Sequence, residues 1–187
     1  MIQPERILKL NDRPTRPGRY VLYWMQASQR AEYNHALEYA LREANEQKLP
    51  VVAFFGLTEN FPEANLRHYT FLVEGLQDVH TALEKRGIRF VVRVGSPEEL
   101  LPDLAAEASL VVADRGYLRI QKSWREKAAS AVPCALFQVE TDAVVPVETA
   151  ADKEVYSAAI HRPRIQRQLG RFLVPLTETK VLRDSLN

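Results

Sequence analysis

Trp24 ends an apolar run, YVLYW, with Met25, Gln26 and Arg30 following closely, and Asp114 with Arg115 closes a second run, LVVA. An aromatic or thioether wall stacks a planar ring, while an amide, a guanidinium and a carboxylate fix its polar edges. These side chains could therefore hold a planar, anionic or polar-edged ligand. Phe55, Arg93, Gly95, Glu140 and Asp142 occupy matching places after other apolar runs. Each also has a purely structural use: Trp24 and Met25 can pack against a helix, and Asp114 can cap one.

Other chemistries lack their residues. There is no GxGxxG after the first apolar run, no GxxxxGK[ST], and only seven glycines in all, so the usual dinucleotide and phosphate cradles are missing. His35, His68, His80 and His161 show no metal-ligand spacing, and Cys134 is the only cysteine, which argues against zinc. Cys134 follows Pro133 at the start of an apolar run and reads as a buried structural thiol. No GxSxG elbow supports a hydrolase.

The elements that must position the candidate residues alternate in type. Val21 to Trp24, Val51 to Leu57, Ile88 to Val94, Leu110 to Ala113 and Ala135 to Val139 are nearly continuous apolar runs, suited to strands covered on both faces. Between them lie helical periods. Ala36, Leu37, Ala40, Leu41 and Ala44 form one stripe, with Ser28 as the expected N-cap. Leu66, Tyr69, Leu72, Val73, Leu76, Val79 and Leu83 form another, in a helix from about Asn65 to Arg86 with Gly87 beyond its end. Ser96-Pro97 with Glu99 predicts a capped third helix that Pro102 shortens, and a fourth spans about Leu118 to Ala131. This alternation predicts an α/β domain over residues 20–143: a five-stranded open parallel sheet with right-handed crossovers and helices on both faces. Residues 1–19, with three prolines, read as an arm. Residues 144–187 read as a connector or tail with a short helix near Asp152 to Ile160. Ligands of such sheets gather beyond the carboxyl ends of the strands, which places Met25 to Arg30 along the main cleft.

The chain has 187 residues, 46% of them apolar, enough for one sizeable core. Its formal net charge of +1 is unevenly spread. Residues 1–20 hold five basic against two acidic side chains, residues 151–187 seven against four, and the body between them is acidic. An acidic body argues against strong nucleic-acid binding by a basic face, leaving only weak, non-specific contact through the flanks. A lone cysteine fits a reducing compartment. Glu5, Arg6, Lys9, Asp12, Arg13 and Arg16 leave no apolar stretch for a signal peptide or a membrane span, so a cytoplasmic location is expected.

Several segments, in order, resemble class II cyclobutane pyrimidine dimer DNA photolyases. They are YWMQASQR with Arg30, Asn34, Ala36 and Leu37; FPEANLRHYTFLVEGL from Phe61 to Leu76; the RGI of Arg86 to Ile88; and VVPVETAADKEVYSAAI from Val144 to Ile160. The resemblance runs from about Tyr20 to Ile165 and concerns that family's amino-terminal, Rossmann-like α/β domain. It implies that FAD and the flipped-out dimer belong to a helical domain beyond this chain, so that neither FAD nor repair is expected here. It also implies that the α/β domain holds, where it holds anything, a light-harvesting antenna, either a deazaflavin or a folate. By position the antenna residues would be Trp24, Met25, Gln26, Arg30, Asp114 and Arg115. SAAIHRPRI stands where the family tends to a more basic ARTIRPKI-like run.

Two other readings stay open from the residues: a small adenine-nucleotide-binding protein of the same topology, and a non-catalytic partner-binding domain. The face that would meet a helical domain should be apolar. Ile165, Leu169, Phe172, Leu173, Val174 and Leu176 could cover apolar surface by docking the tail on its own domain or by forming a homodimer.

Overall fold

The computed structural model describes residues 2–151 and 153–186. The strands are β1 (Ile7–Lys9), β2 (Tyr20–Trp24), β3 (Val51–Leu57), β4 (Arg89–Val94), β5 (Ala108–Asp114) and β6 (Ala135–Val139). The helices are α1 (His35–Gln47), α2 (Leu66–Lys85), α3 (Pro97–Ala105), α4 (Arg119–Ala131), α5 (Val147–Ala150) and α6 (Ala158–Phe172). Among the described residues the sheet is six-stranded, in the order β1-β6-β5-β2-β3-β4.

Five strands are parallel, as the apolar runs require, but the expected count of five is corrected to six. The arm supplies β1, which pairs antiparallel to β6 with Leu8 opposite Gln138. Arg6 fixes the arm there: its guanidinium donates to the carbonyls of Glu140, Ala143 and Val144. So short an edge strand has no period to read.

Side chains alternate between two cores along each strand. Val21, Tyr23, Val51, Ala53, Leu110 and Val112 face α1 and α2, meeting Leu37, Leu41, Leu76 and Leu83. Leu22, Trp24, Val52, Phe54, Val111 and Ala113 face α3 and α4, meeting Leu101, Ala105, Ala128 and Val132. Burying each such aliphatic or aromatic side chain contributes roughly 1.5–3 kcal/mol, so both faces must stay covered.

Two helix starts differ in detail from the expectation, and that of α2 agrees with it. Asn34, not Ser28, caps α1, accepting from the backbone N–H of Leu37 at 3.0 Å. Ser96 is the N-cap of α3, but no side-chain cap bond forms there, and Pro102 is carried within the helix. At α2 the cap is Asn65, with His68 Nδ1 accepting from the Asn65 N–H to close the box.

Beyond β6 the chain is more ordered than a connector. The short helix expected near Asp152 to Ile160 is replaced by α5 and a fifteen-residue α6; Asp152 itself lies outside the described residues. Val145, Ala150 and Phe172 make a small third core. The final residues then return to the sheet. Asn45 donates to the Lys180 carbonyl and accepts from the Leu182 N–H. Ser185 Oγ donates to the Val51 carbonyl at 2.6 Å and accepts from the Arg89 N–H at 2.7 Å.

Candidate functional site

The parallel strands change winding direction between β2 and β5, where a ligand crevice is expected. Asp114, at the end of β5, closes that junction. Its carboxylate accepts three backbone N–H bonds, from Gln26 at 2.5 Å, Ala27 at 2.6 Å and Ser28 at 2.5 Å, and the side chain is fully buried. Burial pushes the Asp114 carboxyl above its ordinary range, while these donors pull the other way. The segment after β2 is thus stapled to β5, and the open space lies on the other side, above β2 and β3.

That space is a cleft of about 170 Å³. Trp24, Met25 and Gln26 come from the end of β2, and Phe55, Gly56 and Leu57 from β3. The following loop and α2 supply Thr58, Phe61, Ala64, His68, Tyr69 and Leu72; Gln29, Pro97, Gln121 and Trp124 complete the lining. Phe61 and Trp124 meet across the two sides, ring centroids 6.2 Å apart. Tyr69 fixes the loop, donating to the Thr58 carbonyl at 2.9 Å and accepting from the Phe61 N–H at 3.1 Å. Gly56 lets α3 approach β3: a Cβ there would lie 2.8 Å from Pro97. Among the described residues no Asp, Glu, Lys or Arg lines the cleft.

Of the six residues named from sequence, Trp24, Met25 and Gln26 come together in this lining and the other three do not. Asp114 serves as the staple just described. Arg30 reaches away to Asp142 at 2.7 Å and to the carbonyls of Thr141 and Tyr33. Arg115 pairs with Glu140 at 3.2 Å and with Glu148 of α5, and stacks over Tyr117. Its guanidinium holds the Glu148 carboxyl below the usual carboxylate range. Both arginines lock the sheet's end to the segment after β6.

Sequence reasoning missed Phe61, Tyr69, Gln121 and Trp124. The first two lie in the stretch that carries the family resemblance, and an isolated aromatic pair within FPEANLRHY was the available signal. Trp124 sits in a mostly polar helix and gave none. Also missed was Arg125, which is buried and donates to Gln26 Oε1 at 2.9 Å, Gln138 Oε1 at 2.9 Å and the Gly116 carbonyl at 2.7 Å.

A family model described as DNA photolyase matches residues 21–181. The chain belongs to the DNA photolyase family. It is 53% identical over 188 residues to the deoxyribodipyrimidine photo-lyase of Methanothermobacter thermautotrophicus, covering all of this chain and 42% of that protein. Against the deoxyribodipyrimidine photo-lyase of Potorous tridactylus it is 35% identical, over 81% of this chain and 29% of the relative. This photolyase-family chain therefore spans less than half the length of either relative. Among solved structures, the archaeal photolyase of Sulfolobus tokodaii superposes with a TM-score of 0.64 at 16% identity, over 88% of this chain and 37% of that one, which shows a shared fold. That crystal structure holds two FAD molecules and is described as implicating a novel light-harvesting cofactor.

Among the described residues no helix is long and apolar enough to cross a membrane, and no cluster of His, Cys, Asp or Glu could hold a metal ion.

Proposed function

We propose that this chain is the amino-terminal α/β part of a class II deoxyribodipyrimidine photolyase, and that its cleft holds a planar light-harvesting chromophore, a deazaflavin or a folate. The observation that carries this reading is the cleft itself: apolar and aromatic, uncharged, and set beyond the carboxyl ends of β2 and β3. A conjugated ring of this kind, when bound, supplies absorption in the near ultraviolet or blue. The protein's part is mechanical. Met25, Phe55 and Leu72 offer an apolar bed, Phe61 and Trp124 an aromatic side, and the Tyr69 bonds keep the loop beside the ring from moving. A ring held rigidly and kept from water loses less excitation to motion and solvent. The adenine-nucleotide alternative is less well supported, because among the described residues no Lys or Arg lines the cleft to meet a phosphate.

Repair by this chain alone is not expected. It spans 42% of its archaeal relative, and the family resemblance assigns FAD and the flipped dimer to the remainder. The test is to supply the purified chain with chromophore, remove the excess, and read absorbance beyond the protein's own band. Retained one-to-one absorbance, with no reversal of thymine dimers under blue light, is the expected result. Dimer reversal above a no-protein control would refute the division of labour, and absence of retained chromophore would refute the cleft's role.

A further inference from the structure

At one edge of the sheet the short β1 is added to β6, whereas at the other β4 pairs with β3 alone. Among the described residues no strand lies beyond β4. Two bonds fix which of its backbone groups face outward. Gly95 donates to the Leu57 carbonyl of β3, and the Ser185 hydroxyl bridges the Arg89 N–H to the Val51 carbonyl, so residues 89 and 95 both point toward β3. Alternation turns Val91 and Arg93 the same way and leaves the N–H and C=O of Phe90, Val92 and Val94 directed outward. The side chains of these three residues share the face covered by α2. Phe90 is buried there, yet Val92 and Val94 stay 43% and 62% exposed. Leu66, Val73 and His80 recur at seven-residue spacing on the flank of α2 that meets this strand, His80 lying against the Phe90 ring. Leu66 and Val73 on that flank are exposed as well.

We propose that β4 is a self-pairing edge: two copies of this chain join antiparallel, β4 against β4, about a two-fold axis at Val92, and the two sheets become one. Outward residues pair only with outward residues, so the axis must fall on a residue. At Val91 it would set Arg89 against Arg93, and at Arg93 it would set arginine against arginine, both unfavourable. At Phe90 it would draw the pairing down to Gly87, where Asp184 of the tail already packs, and at Val94 it would run the pairing into α3. At Val92 these obstacles vanish. Phe90, Val92 and Val94 exchange backbone bonds with Val94, Val92 and Phe90 of the other copy, each arginine faces Val91 or Gly95, and the valines cover one another. The helices agree with this register. α2 crosses from β3 to β4 and lies over that pair. With strands roughly 4.8 Å apart, the two α2 helices would run side by side about 10 Å apart, a distance at which helices pack, and each would cover the Val73 flank of the other.

Light scattering on the full chain should give twice the monomer mass, falling toward the monomer on dilution. Val92→Pro removes the outward N–H at the axis and none of the bonds to β3, a change that an edge strand tolerates. It should weaken the dimer by about tenfold or more, while Val92→Thr, which keeps that N–H, should preserve it. Cysteine substitutions read the register directly, and Cys134 is buried and leaves no competing thiol. Under mild oxidation Val92→Cys should cross-link to its own copy, the paired Cα atoms lying about 5.5 Å apart. Val94→Cys should not, because four residues of strand hold its counterpart more than about 13 Å away. If Val92→Pro does not fold, the two cysteine variants decide. A monomer at every concentration, a dimer undiminished in a folded Val92→Pro, or cross-linking through Val94→Cys in place of Val92→Cys overturns the proposal.

Discussion

Asp114 shows how one side chain can be functional in placement and structural in action. Its two oxygens satisfy three consecutive backbone donors inside the fold, and the path of the chain through Gln26 depends on them. Asn would offer one acceptor and turn an N–H group toward donors, so Asp114→Asn should cost about 2–4 kcal/mol, read as a lower urea midpoint at unchanged slope. His35 makes a pH prediction. Burial first, then the nearby charges of Arg6 and Arg30, push its imidazole from 6.5 down to about 4. Between those values the unfolded chain takes up a proton that the folded chain refuses. Stability from this group is therefore complete above about 6.5, declines as the pH falls, and stops changing below about 4. Urea midpoints measured across that window should slope in the wild type and flatten in His35→Gln; equal slopes would show that His35 is not the group responsible. At this scale the sequence was half legible. Trp24, Met25 and Gln26 could be placed in the cleft because strand ends in a parallel sheet have a known destination. The fates of Arg30, Asp114 and Arg115 could not, since their partners lie 112, 86–88 and 25–33 residues away.

The parallel strands and α1 to α4 were readable because each has its own apolar period and most have a cap in the sequence. What escaped depends on distant contacts. Ser28 looks like a cap in isolation, but the Asp114 staple bends residues 26–28 around its carboxylate and α1 starts only after Asn34, whose amide also donates to Tyr23 Oη and the carbonyls of Ser28 and Arg30. β1 is three residues between prolines, and α6 carries Pro163 among four arginines, a pattern that reads as a solvated linker. The returning tail has an anchor that can be tested. Arg86 donates to Glu38 at 2.8 Å, both side chains nearly buried, and Glu38 also accepts from the Thr179 N–H. Arg86→Met would strand the Glu38 charge and should cost about 3–5 kcal/mol, whereas a change of under 1 kcal/mol would mean that water reaches the carboxylate. Removing residues 177–187 takes away the bonds of Thr179, Lys180, Leu182 and Ser185 and the Val181 contact with the core. The melting temperature should fall by about 5 °C or more. An unchanged value would make that segment a passive cover.

At the scale of the whole molecule, the acidic body and basic flanks imply weak contact with nucleic acid. The exposed Arg162 and Arg167 of α6 could neutralise only a few phosphates, so duplex binding should be non-specific and vanish as salt approaches about 0.15 M. A mobility shift that survives such salt, or that prefers dimer-containing DNA, would contradict this. The fold class was plain from the chain alone. The position of its opening was not, because a tertiary bond at β5 closes one crevice and leaves the other. The most direct measurement of the central claim is therefore a titration of added deazaflavin and tetrahydrofolate against the wild type and Ala64→Trp, followed by tryptophan emission from Trp24 and Trp124. Ala64 is a half-buried lining residue in the loop before α2, and an indole there would fill the cleft without replacing any residue of the sheet. The account predicts one-to-one binding of at least one chromophore, with quenching, in the wild type, and its loss in Ala64→Trp at the same melting temperature. Binding that survives in Ala64→Trp, or no binding in either protein, would contradict it.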